Sequence, residues 1–451
     1  MYWVPHRFAA SESTNAVMRR LHHNPRPKLQ MLLNGLRVIA TPMPHARSLS
    51  LALAVQAGSI YDPPHAAGLA HFLEHLIFKS TDEFSRHELA SAMQRCGNRF
   101  DPSTNKELIS ISGTVPVHKY NDALALVGSV AQRPRFDADD VEVERQVVLE
   151  ELRDWEEDPS KRIEVLTDAT LWGPHPLGRD TGGTRATVRD ITRAQVRGYH
   201  RRYFHPRNAV LSLAGPLSCR EMMAAARRHF GRWRAVASSA MPRRPATMAS
   251  APAIRQSRRS KVLRRANTHQ VWFSVSTTTP SYPQGYDGVL RTQLAQVLIG
   301  DGDGSRLWDG LRERLGLAYE VYATLDFYQD VGVMSAMAAV GRGRAGAAVR
   351  EMQRILEETE EGFTRDEFAR GRDALAAQID LAADWNAAHA SRYAELALFN
   401  QPLVTPAEEL AKLADIRPGE FNRFVREKIR WNHPTVCAIG QGSALDIVRG
   451  D

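Results

Sequence analysis

The stretch Gly68-Leu-Ala-His71-Phe-Leu-Glu74-His75 decides how the rest of this sequence is interpreted. On an α-helix the two histidines are four residues apart, so both imidazoles project from one face and can share a metal ion. Glu74 follows His71 by three residues, close enough to reach a water molecule on that metal. The order H-x-x-E-H is the reverse of the H-E-x-x-H motif of many zinc enzymes. A catalytic zinc takes three protein ligands and leaves a position for water, so a third ligand is expected elsewhere.

The motif needs support, because chance alone places H-x-x-E-H in about 3% of chains of this length and composition. The alternative interpretation is a pair of buried histidines that are hydrogen-bonded to the backbone. Support comes from Glu151, which lies 76 residues after His75. Two neutral imidazoles and one carboxylate form a known three-ligand set for catalytic zinc.

Glu151 falls on a helix that Asp137 is predicted to cap and that ends before Pro159. Glu144 and Glu151 are two turns apart and share a face beside the apolar stripe of this helix. A histidine ligand needs an acceptor for its second ring nitrogen, a role open to Glu144. Glu150 competes with Glu151 as a ligand, but it lies about 100° round the helix, and the spacing favours Glu151.

Composition excludes several classes of protein. A chain of 451 residues is too long for one ordinary core, which predicts two domains. The net charge of +8 comes mostly from scattered arginines, so we expect a solvated basic surface and no nucleic-acid partner. No apolar run approaches the length of about 20 residues that spans a membrane, and no membrane partner is expected.

The three cysteines, Cys96, Cys219 and Cys437, are far apart and odd in number, which favours a reducing compartment over a disulfide framework. Residues 1–27 hold several arginines and one acid, so they are either a mobile extension or an organellar transit segment. Without a secretory signal, a cytoplasmic location is expected, or an organellar matrix if 1–27 is a transit segment.

The chain is predicted to be an α+β protein of two similar domains, each a mixed, mostly antiparallel sheet packed with helices. Residues 1–27 form an N-terminal extension and 28–235 the metal-binding domain. Residues 236–259, rich in Ala, Ser, Pro and Arg without periodicity, form a linker, and 260–451 form the second domain. Each half ends in an apolar strand that follows His-Pro and runs to a glycine, which indicates a duplicated plan.

From about residue 30 to 445 the chain resembles the pitrilysin-type metallopeptidases with the inverted zinc motif, whose relatives include insulin-degrading enzyme and mitochondrial processing peptidase. The resemblance rests on the following motifs: Gly68-Leu-Ala-His-Phe-Leu-Glu-His-Leu-Ile-Phe-Lys79, Glu144-Arg-Gln-Val-Val-Leu-Glu-Glu151, Gly183-Thr with Ile191-Thr, Ser305-Arg-Leu, and Leu311-Arg-Glu-Arg-Leu-Gly-Leu-Ala-Tyr319.

The resemblance implies a zinc-dependent peptidase and a role for seven residues. By the family pattern, the zinc ligands are His71, His75 and Glu151, with Glu74 as general base and Glu144 as an acid behind the ligands. The family also places an Arg and a Tyr, seven residues apart, in its non-catalytic domain, where they assist the oxyanion. Arg312 and Tyr319 match that spacing. Without the family pattern, an arginine paired near its helix end and a core tyrosine are the simpler interpretation.

A single chain of about 450 residues that carries both half-sites resembles the homodimeric bacterial type. By analogy, Arg312 and Tyr319 of one subunit complete the zinc site of the other, and an enclosed chamber restricts substrates to peptides or unfolded segments. A heterodimer with a related subunit is the second possibility. The alternative function is a non-catalytic scaffold or partner subunit of the same fold in a heteromeric peptidase.

One departure from the family lies at Asp101-Pro102, where relatives usually have Asn-Ala on the strand beside the zinc. Proline cannot donate a backbone hydrogen bond, and Asp101 adds negative charge. We therefore expect altered substrate docking at this strand and a preference for a basic peptide residue nearby.

Overall fold

The computed structural model describes residues 26–97, 99–234, 259–266 and 268–441. Two separate sheets organise these residues, one in each half of the chain. Helices cover both faces of each sheet. The predicted α+β architecture is confirmed.

The first sheet has the strand order β1-β2-β6-β3-β5-β4, and every neighbouring pair except the parallel β2 and β6 is antiparallel. Its strands are β1 (Lys28–Met31), β2 (Arg37–Pro42), β3 (Ser48–Val55), β4 (Phe100–Thr104), β5 (Ile109–Pro116) and β6 (Ala209–Gly215).

The second sheet has the order β7-β11-β8-β10-β9, with the parallel pair β7 and β11. Its strands are β7 (Arg259–Arg264), β8 (Gln270–Thr279), β9 (Ala318–Phe327), β10 (Gly332–Gly341) and β11 (Thr435–Gly440). Its order and its one parallel pair repeat those of β2-β6-β3-β5-β4. The two halves therefore share one topology, as the repeated His-Pro strands indicate.

Fourteen α-helices complete the described part of the chain. In the first half they are α1 (Leu69–Ile77), α2 (Arg86–Arg95), α3 (Tyr120–Gln132), α4 (Ala138–Glu157), α5 (Pro159–Trp172), α6 (Arg185–Asp190), α7 (Arg193–Tyr203) and α8 (Cys219–Phe230). In the second they are α9 (Tyr286–Gly300), α10 (Ala345–Glu358), α11 (Arg365–Ala383), α12 (Asn386–Leu398), α13 (Pro406–Asp415) and α14 (Pro418–Lys428). Residues Trp308–Arg314 form a π-helical segment.

Local sequence signals account for most element boundaries. The capping boxes begun by Ser85, Thr192, Thr364 and Thr405 open α2, α7, α11 and α13, each with both reciprocal bonds formed. Asp137 stands at the N-cap of α4, but its side chain caps no helical N–H, so that prediction is wrong. Its carboxylate instead accepts a hydrogen bond from Ser80 and pairs with Arg135. These two contacts occupy the oxygen that could otherwise accept from a helical N–H.

One helix from each half of the chain packs against the sheet of the other half. Helix α5 of the first half packs against β8 and β11, where Ile163 is buried with Cys437 and Ile439. Helix α12 of the second half packs against β3 and β6. The two cores are therefore joined by reciprocal packing, which no local sequence signal predicts.

The predicted linker and N-terminal extension lie almost entirely outside the described residues. The domain bounds given above stay predictions. No helix in the described ranges is both long and apolar enough to cross a bilayer.

Candidate metal centre

Helix α1 is fixed at its N-terminus by a buried carboxylate. Asp62 accepts hydrogen bonds from the backbone N–H groups of Gly68, at 2.8 Å, and Ala70, at 3.0 Å. Gly68 has φ 93, and a Cβ there would lie 2.3 Å from the carbonyl oxygen of Gly182. Only glycine fits this close approach. The sequence analysis did not assign Asp62, although it stands just before the motif.

The structure brings His71, His75 and Glu151 to one point. Oε2 of Glu151 lies 3.1 Å from Nε2 of His75 and 3.7 Å from Nε2 of His71. All three ligand atoms lie within 4.8 Å of one another. The buried stripe of α1, which includes Phe72 and Leu76, turns the opposite side of the helix toward α4.

The chemistry of this donor set fits zinc. Oε2 of Glu151 is buried and makes no hydrogen bond of normal geometry, although His75 is adjacent. A shared metal ion satisfies such converging donors, and imidazole and carboxylate bind zinc at about 2.0–2.2 Å. Three protein ligands leave one position open, which is the arrangement of a catalytic site.

Glu144 lies behind the ligands. Its Oε2 is 3.3 Å from Nδ1 of His75, and its Oε1 is 2.6 Å from Nζ of Lys79. The side chain is only 5% exposed. Glu150, the competing ligand candidate, is exposed and pairs with Arg153 at 3.6 Å. The geometry therefore places Glu151, and not Glu150, among the histidines.

Burial and neighbouring charges set the protonation of the histidines. Burial lowers the pKa of His71 to about 4, and the nearby His75 adds to this effect, so His71 is neutral and ready to bind a metal. Burial also opposes the charged form of His75, but Glu151, Glu74 and Glu144 outweigh it and raise the pKa of His75. His75 therefore tends to hold a proton on both ring nitrogens, and a metal ion must displace the proton on Nε2.

Glu74 projects from α1 beside the cluster. Burial raises the pKa of its carboxyl, and the negative charges of Glu151 and Asp101 raise it further. A raised pKa suits a carboxylate that takes and returns a proton near neutral pH. Trp155, which no motif singled out, lies beside His71 with ring centroids 5.5 Å apart and ring planes tilted by 40°.

Arg312 and Tyr319 lie close to each other and not in this cluster. The Arg312 guanidinium donates to the carbonyl oxygen of Tyr319 at 2.9 Å and lies 4.0 Å from the centre of the Trp308 ring. The Tyr319 side chain is 78% exposed, so it is no core tyrosine. Among the described residues, neither side chain hydrogen-bonds or ion-pairs with the metal cluster. One chain thus brings together five of the seven predicted site residues.

A cavity of about 730 Å³ lies between the two halves and includes Thr104 and Trp155 from the neighbourhood of the cluster. Acidic side chains from both halves line it, among them Asp168 and Asp326. Lys106 pairs with Asp168 at 2.9 Å. Burial raises the pKa of both of these aspartates. The cavity is large enough for several side chains of a peptide.

Strand β4 is an edge strand and packs against α1. Backbone hydrogen bonds from Thr114 to Arg99 and from Asn105 to Leu108 show that odd-numbered residues of β4 pair with β5. The backbone of Phe100, Pro102 and Thr104 therefore faces outward. Pro102 removes one donor from the centre of this free edge.

The duplicated fold and this donor set match the plan of the inverted-motif metallopeptidases that the sequence resembles. Residues 37–185 match the family described as Insulinase (Peptidase family M16), and residues 190–375 match the Peptidase M16 inactive domain. The chain belongs to peptidase family M16. The predicted family is confirmed.

Curated relatives include an uncharacterized zinc protease of Mycobacterium tuberculosis, 33% identical over 81% of this chain and 82% of that protein. An uncharacterized zinc protease of Streptomyces coelicolor is 26% identical over 91% of this chain and 88% of its own length. Both relatives are bacterial and cover most of the chain.

Solved structures show the same fold. A protease from Helicobacter pylori superimposes with a TM-score of 0.84 at 21% identity, over 92% of this chain and 99% of that one. A peptidase M16 inactive domain from Pseudomonas fluorescens gives a TM-score of 0.82 at 19% identity, over 93% and 98% of the two chains.

Proposed function

We propose that this protein is a zinc-dependent endopeptidase that cleaves peptides or unfolded segments. The observation that carries the proposal is the convergence of His71, His75 and Glu151 on one point, with Glu74 beside it. Bound zinc supplies a Lewis acid that activates water and polarises a carbonyl. The ligands are preorganised for it, since His71 is neutral and Glu144 accepts from the second nitrogen of His75.

Glu74 acts as the general base and then the general acid. Its carboxylate takes a proton from the attacking water and passes that proton to the leaving amine. Burial supports this role because it raises the pKa of Glu74 toward the range in which both transfers are favourable. Thr104 of β4 lies next to this carboxylate and links the base to the strand.

Arg312 and Tyr319 are proposed to stabilise the oxyanion of a second subunit in a homodimer. The exposure of Tyr319 and its contact with the half-buried Arg312 support a site that faces outward from its own chain. A hydroxyl and a guanidinium are strong donors for developing negative charge. A heterodimer with a related subunit would place them in the same way.

The free edge of β4 is proposed to dock the substrate as an added strand. An edge next to the base offers backbone acceptors at Phe100, Pro102 and Thr104, and main-chain pairing of this kind accepts many sequences. The acidic cavity beyond it suits a basic side chain of the peptide. A cytoplasmic location remains a prediction.

The second candidate function is a non-catalytic subunit of the same fold. The match of residues 190–375 to an inactive domain is compatible with it. The complete donor set in the first half favours the peptidase, because a scaffold has no need of three converging ligands and a buried carboxylate beside them.

The substitution Glu74→Gln tests the proposal. The variant is expected to retain about one zinc per chain and to lose at least about 100-fold in cleavage of an unstructured peptide. Zinc is measured by atomic absorption, and cleavage by mass spectrometry of a peptide library. Glu150→Gln is the matched control and should cleave as the wild type does. Undiminished cleavage by Glu74→Gln would contradict the mechanism.

A further inference from the structure

A second cleft, of about 420 Å³, lies away from the metal ligands. It forms where the segment after α1 meets the segment before α4. The backbone N–H of Asp82 donates to the carbonyl oxygen of Arg133, and that of Arg135 donates to Ser80, each at 3.0 Å. Helix α7 forms the remaining wall, with Arg193 donating to the carbonyl oxygen of Phe136.

The cleft has more positive charge than its own acids neutralise. Of its five arginines, Arg133 pairs with Glu83, and Arg135 pairs with Asp137 at 3.1 Å. The other three, Arg193, Arg197 and Arg201, recur every four residues along one face of α7 and are exposed. Within the ranges that the structure describes, no carboxylate pairs with any of these three. Asp82 is the one remaining acid of the lining.

The backbone around the cleft is held in a fixed shape. Phe136 has φ 52, a left-handed conformation that is costly for a side chain of this size. The Phe136 ring is 2% exposed and packs edge-on against His200. Nε2 of His200 donates a hydrogen bond to the carbonyl oxygen of Ala131 at 3.0 Å, so the ring and α7 are anchored to α3.

We propose that this cleft binds a small anion that carries two or more phosphate groups. A planar guanidinium group binds two phosphate oxygens at once, and three such groups at intervals of four residues extend over about 12 Å of helix. The volume falls within the range of about 300–1,000 Å³ found for small-molecule sites.

The phosphate chain is the part that is recognised. The Phe136 ring is buried and offers no face on which a nucleotide base could stack. Free inorganic tripolyphosphate and the triphosphate of a nucleotide should therefore bind with similar affinity. The bound anion connects α7 to the segments that follow α1 and precede α4, the two helices that carry the metal ligands.

Calorimetric titration of inorganic tripolyphosphate into the zinc-loaded, full-length protein tests this site. The double variant Arg197→Gln/Arg201→Gln is expected to bind tripolyphosphate at least about tenfold more weakly, because two guanidinium–phosphate contacts are lost. Heat from zinc chelation is common to both proteins, since both keep the three ligands. ATP serves as the second probe and should match tripolyphosphate within about threefold.

Arg350→Gln/Arg370→Gln is the control, because it removes the same charge from exposed positions in the second half. This control should bind tripolyphosphate as the wild type does. If both double variants bind tripolyphosphate equally weakly, the effect comes from net charge alone and the proposed site is wrong. Wild-type affinity in Arg197→Gln/Arg201→Gln would do the same, and so would tighter binding of a pentaglutamate peptide than of tripolyphosphate.

Discussion

Oε2 of Glu144 lies 3.3 Å from Nδ1 of His75, while Nε2 of the same ring faces Glu151. The histidine is thus held between two carboxylates, one on each nitrogen. This arrangement fixes the orientation of the ring before a metal arrives, and Glu144 keeps the proton on Nδ1 once Nε2 binds the metal. The two acids sit two turns apart on α4, so a single rigid helix provides both.

The first prediction concerns Glu144. Glu144→Gln keeps the shape but weakens the acceptor for His75, and zinc affinity is expected to fall by about 10–100-fold. Competition with a chromogenic chelator measures the zinc dissociation constant. Glu150→Gln, which lies about 100° round α4 from Glu151, should leave that constant unchanged. Equal affinity in Glu144→Gln and the wild type would mean that Glu144 does not support the ligand.

The second prediction concerns assembly. Glu74→Gln and Tyr319→Phe should each lose at least about 100-fold in the rate of cleavage. In a random mixture of the two, half of the dimers are mixed, and each mixed dimer has one intact site. Mixing should therefore restore about a quarter of wild-type activity if sites form between subunits. Native mass spectrometry confirms that mixed dimers exist. Their presence without recovered activity would place the whole site within one chain.

The third prediction concerns the edge of β4. Pro102→Ala adds an outward backbone N–H at the centre of the strand. One more hydrogen bond to a docked peptide is worth about 1 kcal/mol, so KM for an unstructured peptide should fall about fivefold. Ser103→Ala is the control, since the Ser103 backbone pairs with β5. A KM that is unchanged in Pro102→Ala would argue that substrates do not dock on this edge.

The fourth prediction concerns the pH dependence of stability. Burial raises the pKa of Asp62 to about 7, although the N–H groups of Gly68 and Ala70 and the charge of Arg179 oppose it. The unfolded chain titrates this group near pH 4, so between about pH 4 and 7 the folded state holds more protons. The stabilising contribution of neutral Asp62 is therefore complete below about pH 4 and is lost as the pH rises to about 7.

Asp62→Asn cannot ionise. Its melting temperature relative to the wild type, both metal-free, should therefore increase from pH 4 to pH 7, with a limit of about 4 kcal/mol in the free energy of unfolding. Scanning calorimetry at several pH values measures this difference. Asp373→Asn, at a side chain that is 75% exposed, is the control and should run parallel to the wild type. A constant offset between Asp62→Asn and the wild type would contradict the assignment.

The sequence predicts the parts of the site that depend on helical spacing. His71 and His75 share a face because they are four residues apart, and Glu144 and Glu151 because they are seven apart. The Asn34-Gly35 turn likewise predicts the hairpin of β1 and β2, where Gly35 has φ 91. In each case the residues that determine the structure lie within seven positions of one another in the sequence.

Features that depend on distant segments could not be predicted from these patterns. Asp62 reaches the N-terminus of α1 because Arg179, 117 residues away, holds the intervening loop by donating to the carbonyl oxygen of Asp62. The three arginines of α7 form a cleft only because Arg133–Asp137 lie beside them in space. The capping role expected for Asp137 is wrong for the same reason, since Ser80, 57 residues earlier in the chain, donates to its carboxylate.

The exchange of α5 and α12 between the halves has a consequence for synthesis. The strands β3 and β6, whose shared face includes Ala52 and Val210, are synthesised long before α12, the helix that covers this face. At about 5–20 residues per second, roughly 10–40 s separate the completion of β6 from that of α12. During this interval the nascent chain exposes an apolar sheet face, a natural target for a chaperone. The core of the first half therefore cannot be completed until α12, in the second half of the same chain, has been synthesised.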